Sequence, residues 1–143
     1  MRHFKMMLMA FAAMMMCTIT CCADDKPIPA DQLPLAAKTF VKKHFQGQTI
    51  TYAEKDADSF EARLNNGVKV EFDKKGNWDA VESKTQPVPS ELVPPIILNY
   101  VRSTYTDAFV TKIDKERNGY ELELSNGLEL KFNKKGFLTE IDD

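Results

Sequence analysis

Few side chains in this sequence are of a type and spacing that could do chemistry. Beyond the first 23 residues there is one histidine, His44, in the stretch KTFVKKHF, one position before Phe45. A histidine acting as a base needs an orienting partner and a nucleophile, and no serine or threonine near it has a signature context. A histidine-bearing metal site needs further donors at ligand spacing, and none accompany it. His44 reads instead as a solvated or capping residue near a helix C-terminus, where the helix dipole favours a cation. Carboxylates are plentiful: Asp24-Asp25, Asp56 with Asp58, Asp114 with Glu116, and Asp142-Asp143. Asp56 and Asp58 lack the pattern of a calcium-binding loop. Acid–base work needs two carboxyl groups held apart across a cleft, whereas these lie at expected turns or termini. No catalytic constellation emerges, and none of these residues is expected to hold a cofactor or a metal.

The ends and the composition narrow the classes further. Arg2 and Lys5 precede the apolar run MMLMAFAAMMMCTIT, and CCA then leads into the charged DDKP. A basic start, a short apolar stretch and small residues before a polar break describe a secretory signal over residues 1–23, cut after Ala23. The rival is a lipid-bearing Cys21 or Cys22, although Thr18, Ile19 and Thr20 make a poor approach to a lipidation site; it would anchor the chain in the outer membrane. Either way the expected location is the periplasm or beyond. Cys17, Cys21 and Cys22 are the only cysteines, so cleavage after Ala23 leaves no disulfide, thiol nucleophile or thiolate metal site. Losing Arg2 and Lys5 leaves 17 basic against 21 acidic side chains, a net charge of −4. A mildly acidic surface with dispersed lysines suits neither nucleic acid nor anionic membrane. The remaining 120 residues, 24–143, are enough for one domain held by its core alone.

The elements that must position any site come from a duplication. NGVKVEFDKKG at 66–76 recurs as NGLELKFNKKG at 126–136, and pairing residue n with n+60 needs no gap from Leu33/Val93 to Ser83/Asp143. Identities include Pro34/Pro94, Thr51/Thr111, Asn66/Asn126, Gly67/Gly127 and Phe72/Phe132. The two repeats span about 28–84 and 88–143, and two copies are too few for a solenoid. Each opens with a helix: Leu33, Ala37, Phe40, Val41 and Phe45 fall at helical spacing in the first, and Val93, Ile96, Ile97, Tyr100, Val101 and Tyr105 in the second. Pro34 and Pro94 suit a first turn, while Pro95 is expected to tighten or delay the second start. A strand follows around Thr49–Lys55 and Phe109–Lys115.

The period then drops to two. Phe60, Ala62 and Leu64 alternate with Glu61 and Arg63, and Val68, Val70 and Phe72 with Lys69 and Glu71. The second copy alternates Tyr120, Leu122, Leu124, Leu128, Leu130 and Phe132 with Glu121, Glu123, Glu129 and Lys131. Such alternation predicts antiparallel strands with one covered and one wet face. Parity selects the turns. A three-residue loop, Asn65-Asn66-Gly67, ending in a left-handed glycine sets Leu64 opposite Val68 and Phe60 opposite Phe72, whereas a two-residue turn would put Leu64 beside Lys69. Trp78 and Val81 have opposite parity, as do Leu138 and Ile141, which requires either a bulge or a two-sided last strand.

The order of these features resembles the PepSY-like family of small secreted or lipid-anchored bacterial proteins. Its elements here are a helix with an aromatic exit (Phe45, Tyr105), Phe60 or Tyr120 followed by Glu and Leu64 or Leu124, Asn-Gly, a Phe-Asp/Asn-Lys-Lys-Gly turn and a closing apolar strand. The chain departs where the family often shows Phe-Pro, having Phe45-Gln46 and Tyr105-Thr106. The resemblance implies a β-lactamase-inhibitor-protein-like α+β fold: two tandem α-β4 units sharing one eight-stranded antiparallel sheet, with both helices on one face. It implies no catalytic residues, and binding or inhibition only by analogy.

The wet face is the candidate site, with Glu61, Arg63, Lys69, Glu71, Glu121, Glu123, Glu129 and Lys131. The register sets Glu61 against Glu71, Arg63 against Lys69 and Glu123 against Glu129, arrangements unfavourable by some tenths of a kcal/mol each unless diagonal contacts offset them. The plain reading is a solvated sheet face. The sharper one is a platform for another periplasmic or cell-surface protein. From another class, the carboxylate excess suits a small-ligand or cation receptor, with its pocket between helices and sheet or at the seam of the repeats. Trp78, Tyr100, Tyr105 and Tyr120 fall on core parity, and Tyr52 is the least constrained aromatic.

Overall fold

The computed structural model describes residues 25–143; the expected leader and its cysteines lie outside the described residues. Each repeat contributes a ten-residue helix, α1 (Leu35–His44) and α2 (Pro95–Thr104). Each is entered through a short 3-10 turn (Ala30–Gln32, Ser90–Leu92) and a proline at the N-cap. Pro95 causes no delay: it takes the first helical position, where its missing N–H costs nothing, and both helices start at the same point of the repeat.

Nine strands form one antiparallel sheet whose spatial order is the chain order: β1 (Lys26–Pro27), β2 (Ile50–Lys55), β3 (Ser59–Leu64), β4 (Lys69–Asp73), β5 (Trp78–Glu82), β6 (Val110–Glu116), β7 (Gly119–Leu124), β8 (Glu129–Asn133) and β9 (Leu138–Asp142). Eight of these are the two expected sets of four. The ninth, β1, is a two-residue stub pairing Lys26 with Lys55 and Pro27 with Glu54. It exists because β2 has an open edge. At the same place in the second repeat β5 already lies on β6, pairing Ala80, Val81 and Glu82 with Asp114, Ile113 and Lys112. The entry segment of that repeat is displaced accordingly, with Val88 donating to Val110 where Ile28 donates to Ala53.

The inferred register is the observed one. Phe60 pairs with Phe72, Ala62 with Val70, and Phe72 with Trp78. Leu64 and Gly67 close the loop as predicted, with Gly67 N–H donating to the Leu64 carbonyl at 3.0 Å and Gly67 left-handed at φ 87°. The parity conflict resolves as a bulge: Glu71 pairs with Ala80, Phe72 with Trp78, and Asp79 is the extra residue; Thr139 is its counterpart in the second repeat. Further bulges at Thr51 and Thr111 explain that identity, because each hydroxyl donates to the carbonyl of the facing strand, Arg63 or Glu123, at 3.2 and 3.1 Å.

One hydrophobic cluster draws on both repeats: Ala37, Val41, Val70, Phe72 and Val81 from the first, Ile97, Val101, Ile113, Leu122 and Leu130 from the second. Val81 and Ile113, paired across the seam, are both fully buried. The aromatic residues pack as their parity required. Phe40 stacks on Trp78 at 5.9 Å and meets Phe72 edge-on, and Tyr100 meets Phe132 in the same way. Lys115 places its ammonium 3.8 Å from the centre of the Trp78 ring, closing the seam from the helix side.

Candidate functional site

Both helices occupy one face of the sheet, so the other is left to its charged side chains. All eight predicted residues lie there, since each alternates with a buried neighbour: Glu61 and Arg63 flank Ala62, Lys69 and Glu71 flank Val70, Glu121 and Glu123 flank Leu122, and Glu129 and Lys131 flank Leu130. They form two groups, one per repeat, separated by β5 and β6.

The expected confrontations are present: Glu61 faces Glu71, Arg63 faces Lys69, and Glu123 faces Glu129. Their relief differs from the diagonal contacts anticipated. Arg63 Nε donates to Glu61 Oε1 at 2.7 Å within the same strand, and Lys69 lies 3.5 Å from Glu71 and 3.3 Å from Glu82 on the next strand. In the second repeat Lys131 turns outward to Glu140 at 3.3 Å and Asp142 at 3.9 Å. Among the described residues Glu121, Glu123 and Glu129 have no ion-pair partner within 4.0 Å. Charge density is therefore asymmetric: compensated over the first repeat, acidic over the second.

The face holds further residues beyond those eight, of which Tyr52 and Asp114 stood out in the sequence for other reasons and Glu82 and Lys112 did not. Tyr52 donates to Glu54 at 2.8 Å while the Arg63 guanidinium lies 5.0 Å from its ring centre. Glu82, Lys112 and Asp114 bridge the seam, with Lys112 4.0 Å from Asp114. The signal for them was strand parity in β2, β5 and β6, but bulges interrupt it in or beside each strand.

The electrostatics follow these contacts. The hydrogen bond to Glu54 pushes the Tyr52 phenol up, and that to Glu61 raises Arg63. Burial pulls Lys69 down, but Glu82, then Glu71, outweigh it and leave the ammonium raised. Burial lifts the Asp114 carboxyl above its usual range, with Lys112 opposing.

His44 is neither solvated nor a cap. Its side chain is 14% exposed, its ring packs 4.6 Å from Phe40, and Nδ1 lies 3.1 Å from Glu91 Oε1 in the entry turn of the second repeat. That hydrogen bond holds the Glu91 carboxyl below its ordinary range. His44 thus ties the two repeats together on the helix side, away from the wet face.

The family described as "Putative beta-lactamase-inhibitor-like, PepSY-like" matches residues 20–70 and again 58–140. No curated protein matches the chain. Three crystal structures superpose closely. A "putative calcium-regulated periplasmic protein" from Bacteroides thetaiotaomicron is 44% identical at a TM-score of 0.79, with 83% of this chain and 97% of that one covered. A "putative periplasmic protein" from Bacteroides vulgatus is 42% identical at a TM-score of 0.79, covering 85% and 98%. A further Bacteroides vulgatus "putative periplasmic protein of unknown function" is 34% identical at 0.78, covering 83% and 99%. With family matches that together span residues 20–140 and relatives spanned almost end to end, the chain belongs to the PepSY-like, beta-lactamase-inhibitor-like family.

Proposed function

We propose that this is a non-catalytic periplasmic binding or inhibitory protein that holds another protein against the open face of its sheet. The observation that carries this reading is the uncovered face itself, populated by ionic side chains that do little for folding. Exposed ion pairs are worth about 0–1 kcal/mol, so pairs such as Lys69–Glu71 and Lys131–Asp142 are poorly explained by stability. Nine strands at a spacing of about 4.8 Å make a platform roughly 40 Å wide. With eight strands of five to seven residues beside the two-residue β1 its area is roughly 700 Å², close to the ~800 Å² per partner of a standard interface. A partner of complementary charge would replace the Glu123–Glu129 repulsion with attraction across the interface. Affinity capture from periplasmic extract, repeated with Glu61→Lys, Arg63→Glu, Lys69→Glu and Glu71→Lys combined, tests the reading. A specific partner retained by the native face and lost on reversal is expected; specific capture that survives reversal overturns it.

A second reading, a cation receptor, is favoured by a cleft of about 290 Å³ at one end of the same face, lined by Asp25, Glu54, Asp56, Glu61 and Glu71. The relative described as calcium-regulated adds weight to it. Among the described residues no three His, Cys, Asp or Glu side chains are grouped to hold one ion, so a cation here would be held largely through water. Calcium should raise the melting temperature beyond sodium at equal ionic strength, and Glu54→Gln should remove the difference. Equal effects of the two salts on the native protein exclude this reading.

A further inference from the structure

Strands β5 and β9 occupy the same place in the two repeats and meet different fates. β5 is covered by β6, and Val81 is fully buried. β9 pairs with β8 alone among the described residues, and Ile141, which corresponds to Val81 and faces Leu130, is 49% exposed. A strand edge left open usually carries devices that repel another strand, such as inward-pointing charge or proline. Here Glu140 and Asp142 supply charge, but the apolar surface beside them increases as well. Ala36 of the first repeat is replaced by Ile96, 48% exposed, and Asn77 by Phe137, 58% exposed. Ile96 sits against Gly136 in the turn that leads into β9. Three of the five large exposed hydrophobic side chains among the described residues therefore surround this edge.

We infer that the β9 edge is a docking site for an extended segment of a partner protein, added antiparallel as a tenth strand and carrying an apolar residue flanked by basic ones. The seam within the molecule supplies the pattern. Transferring the β5–β6 register by 60 residues sets the partner's apolar side chain, the counterpart of Ile113, against Ile141. It sets the counterpart of Lys112 against Asp142 and the counterpart of Asp114 against Glu140. Glu140 stands where β5 has Ala80, so the last of these positions must be basic rather than acidic. Among the described residues Lys131 is the one cation paired with Glu140 and Asp142, and Glu129 stands opposite Asp142, which leaves the edge acidic. The same acidity disfavours a second copy in that position, because two β9 strands would bring like charges together. Main-chain hydrogen bonds would supply affinity, and the alternate side chains specificity.

The probe is a pair of peptides, one copying residues 109–117 and one with Asp114→Lys, titrated into the full protein and followed through the backbone amide signals of β9. The lysine peptide should perturb residues 138–143 and bind roughly fivefold or more tightly than the native peptide, from the reversal of one cross-strand charge pair together with the longer-range acidity. Ile141→Lys should abolish binding, and Glu140→Lys with Asp142→Lys should invert the preference. Because Ile141 is half exposed, both variants should fold; unchanged urea midpoints check this. Reversing Glu61, Arg63, Lys69 and Glu71 should leave peptide binding unaffected, which separates this edge from the sheet face proposed above. Absence of binding, binding without charge preference, or binding that survives Ile141→Lys overturns the inference. So does a concentration-dependent dimer that Ile141→Lys dissolves, since the edge would then belong to a second copy.

Discussion

Asp73 and Asn133 build the same turn with different charge. Asp73 Oδ1 accepts from the backbone N–H of Lys75 at 2.8 Å and of Asn77 at 2.9 Å; Asn133 Oδ1 accepts from Lys135 and Phe137 at 3.0 Å each. The Asn77 backbone bond, ahead of the other donors, holds the Asp73 carboxyl below its usual range. A carboxylate depressed in the folded state contributes stability that is complete above its unfolded value, near 4, and lost as pH falls through the folded value. Asp73→Asn should therefore flatten the loss of stability below about pH 4 while changing little at neutral pH, where Asn133 shows that an amide serves the turn. Urea midpoints for both proteins between about pH 3 and 7 measure this. Asp79 and Asp114, raised by burial, act in the opposite direction, and their protonation in acid relieves a cost. A second contrast separates two glycines with nearly equal φ, 87° and 89°. Gly67 has open space around it, so Gly67→Ala should cost only the left-handed penalty of about 1–2 kcal/mol. At Gly76 a Cβ would lie 2.7 Å from Pro34 Cβ and 3.1 Å from the Ala37 backbone nitrogen. Gly76→Ala should accordingly cost more than Gly67→Ala in urea unfolding, because the helix start must also move.

The hairpins were legible because each residue choice in them has a single geometric use: Asn66 and Asn126 accept from Val68 and Leu128, and Gly67 takes a left-handed φ. The bulges were legible only as a parity conflict, since an added residue shows in sequence as a broken alternation without saying which residue is extra. Asp79 being that residue has a test. Its removal leaves Trp78 opposite Phe72 and Val81 opposite Val70, so the strand becomes regular and the protein should still fold. Removing Glu71, where β4 pairs with β3 without interruption, shifts the comb by one and sends Val70 or Phe72 to the wet face. That variant should fail to unfold cooperatively by circular dichroism, whereas the Asp79 deletion should keep a sharp transition. β1 was not legible at all: Lys26–Pro27 has no strand pattern, and it pairs only because the edge of β2 is vacant.

At the scale of the molecule, the duplication gave the architecture and much of the candidate face, but not the asymmetry between the copies. His44–Glu91, Lys115–Trp78 and the Val81–Ile113 pair join the repeats, and in each contact at least one partner differs between the copies (Thr104 for His44, Leu138 for Trp78, Ala53 for Ile113), so internal comparison could not point to these contacts. They predict that neither repeat is self-sufficient. Residues 25–84 alone would expose Val81 and the outer edge of β5, and should show no cooperative thermal transition as a monomer, while mixing with residues 85–143 should restore one.

The sheet also has a mechanical character set by its plain order. Because every strand pairs with its neighbour in the chain, Lys26 and Asp142 lie on opposite edges of the sheet. Tension applied between them runs across the strands and loads the ladders bond by bond, from the rims inward, instead of shearing a whole ladder at once. A pull between residues 26 and 142 should therefore open the sheet at a lower force than shearing a ladder of the same length needs, which single-molecule extension measures.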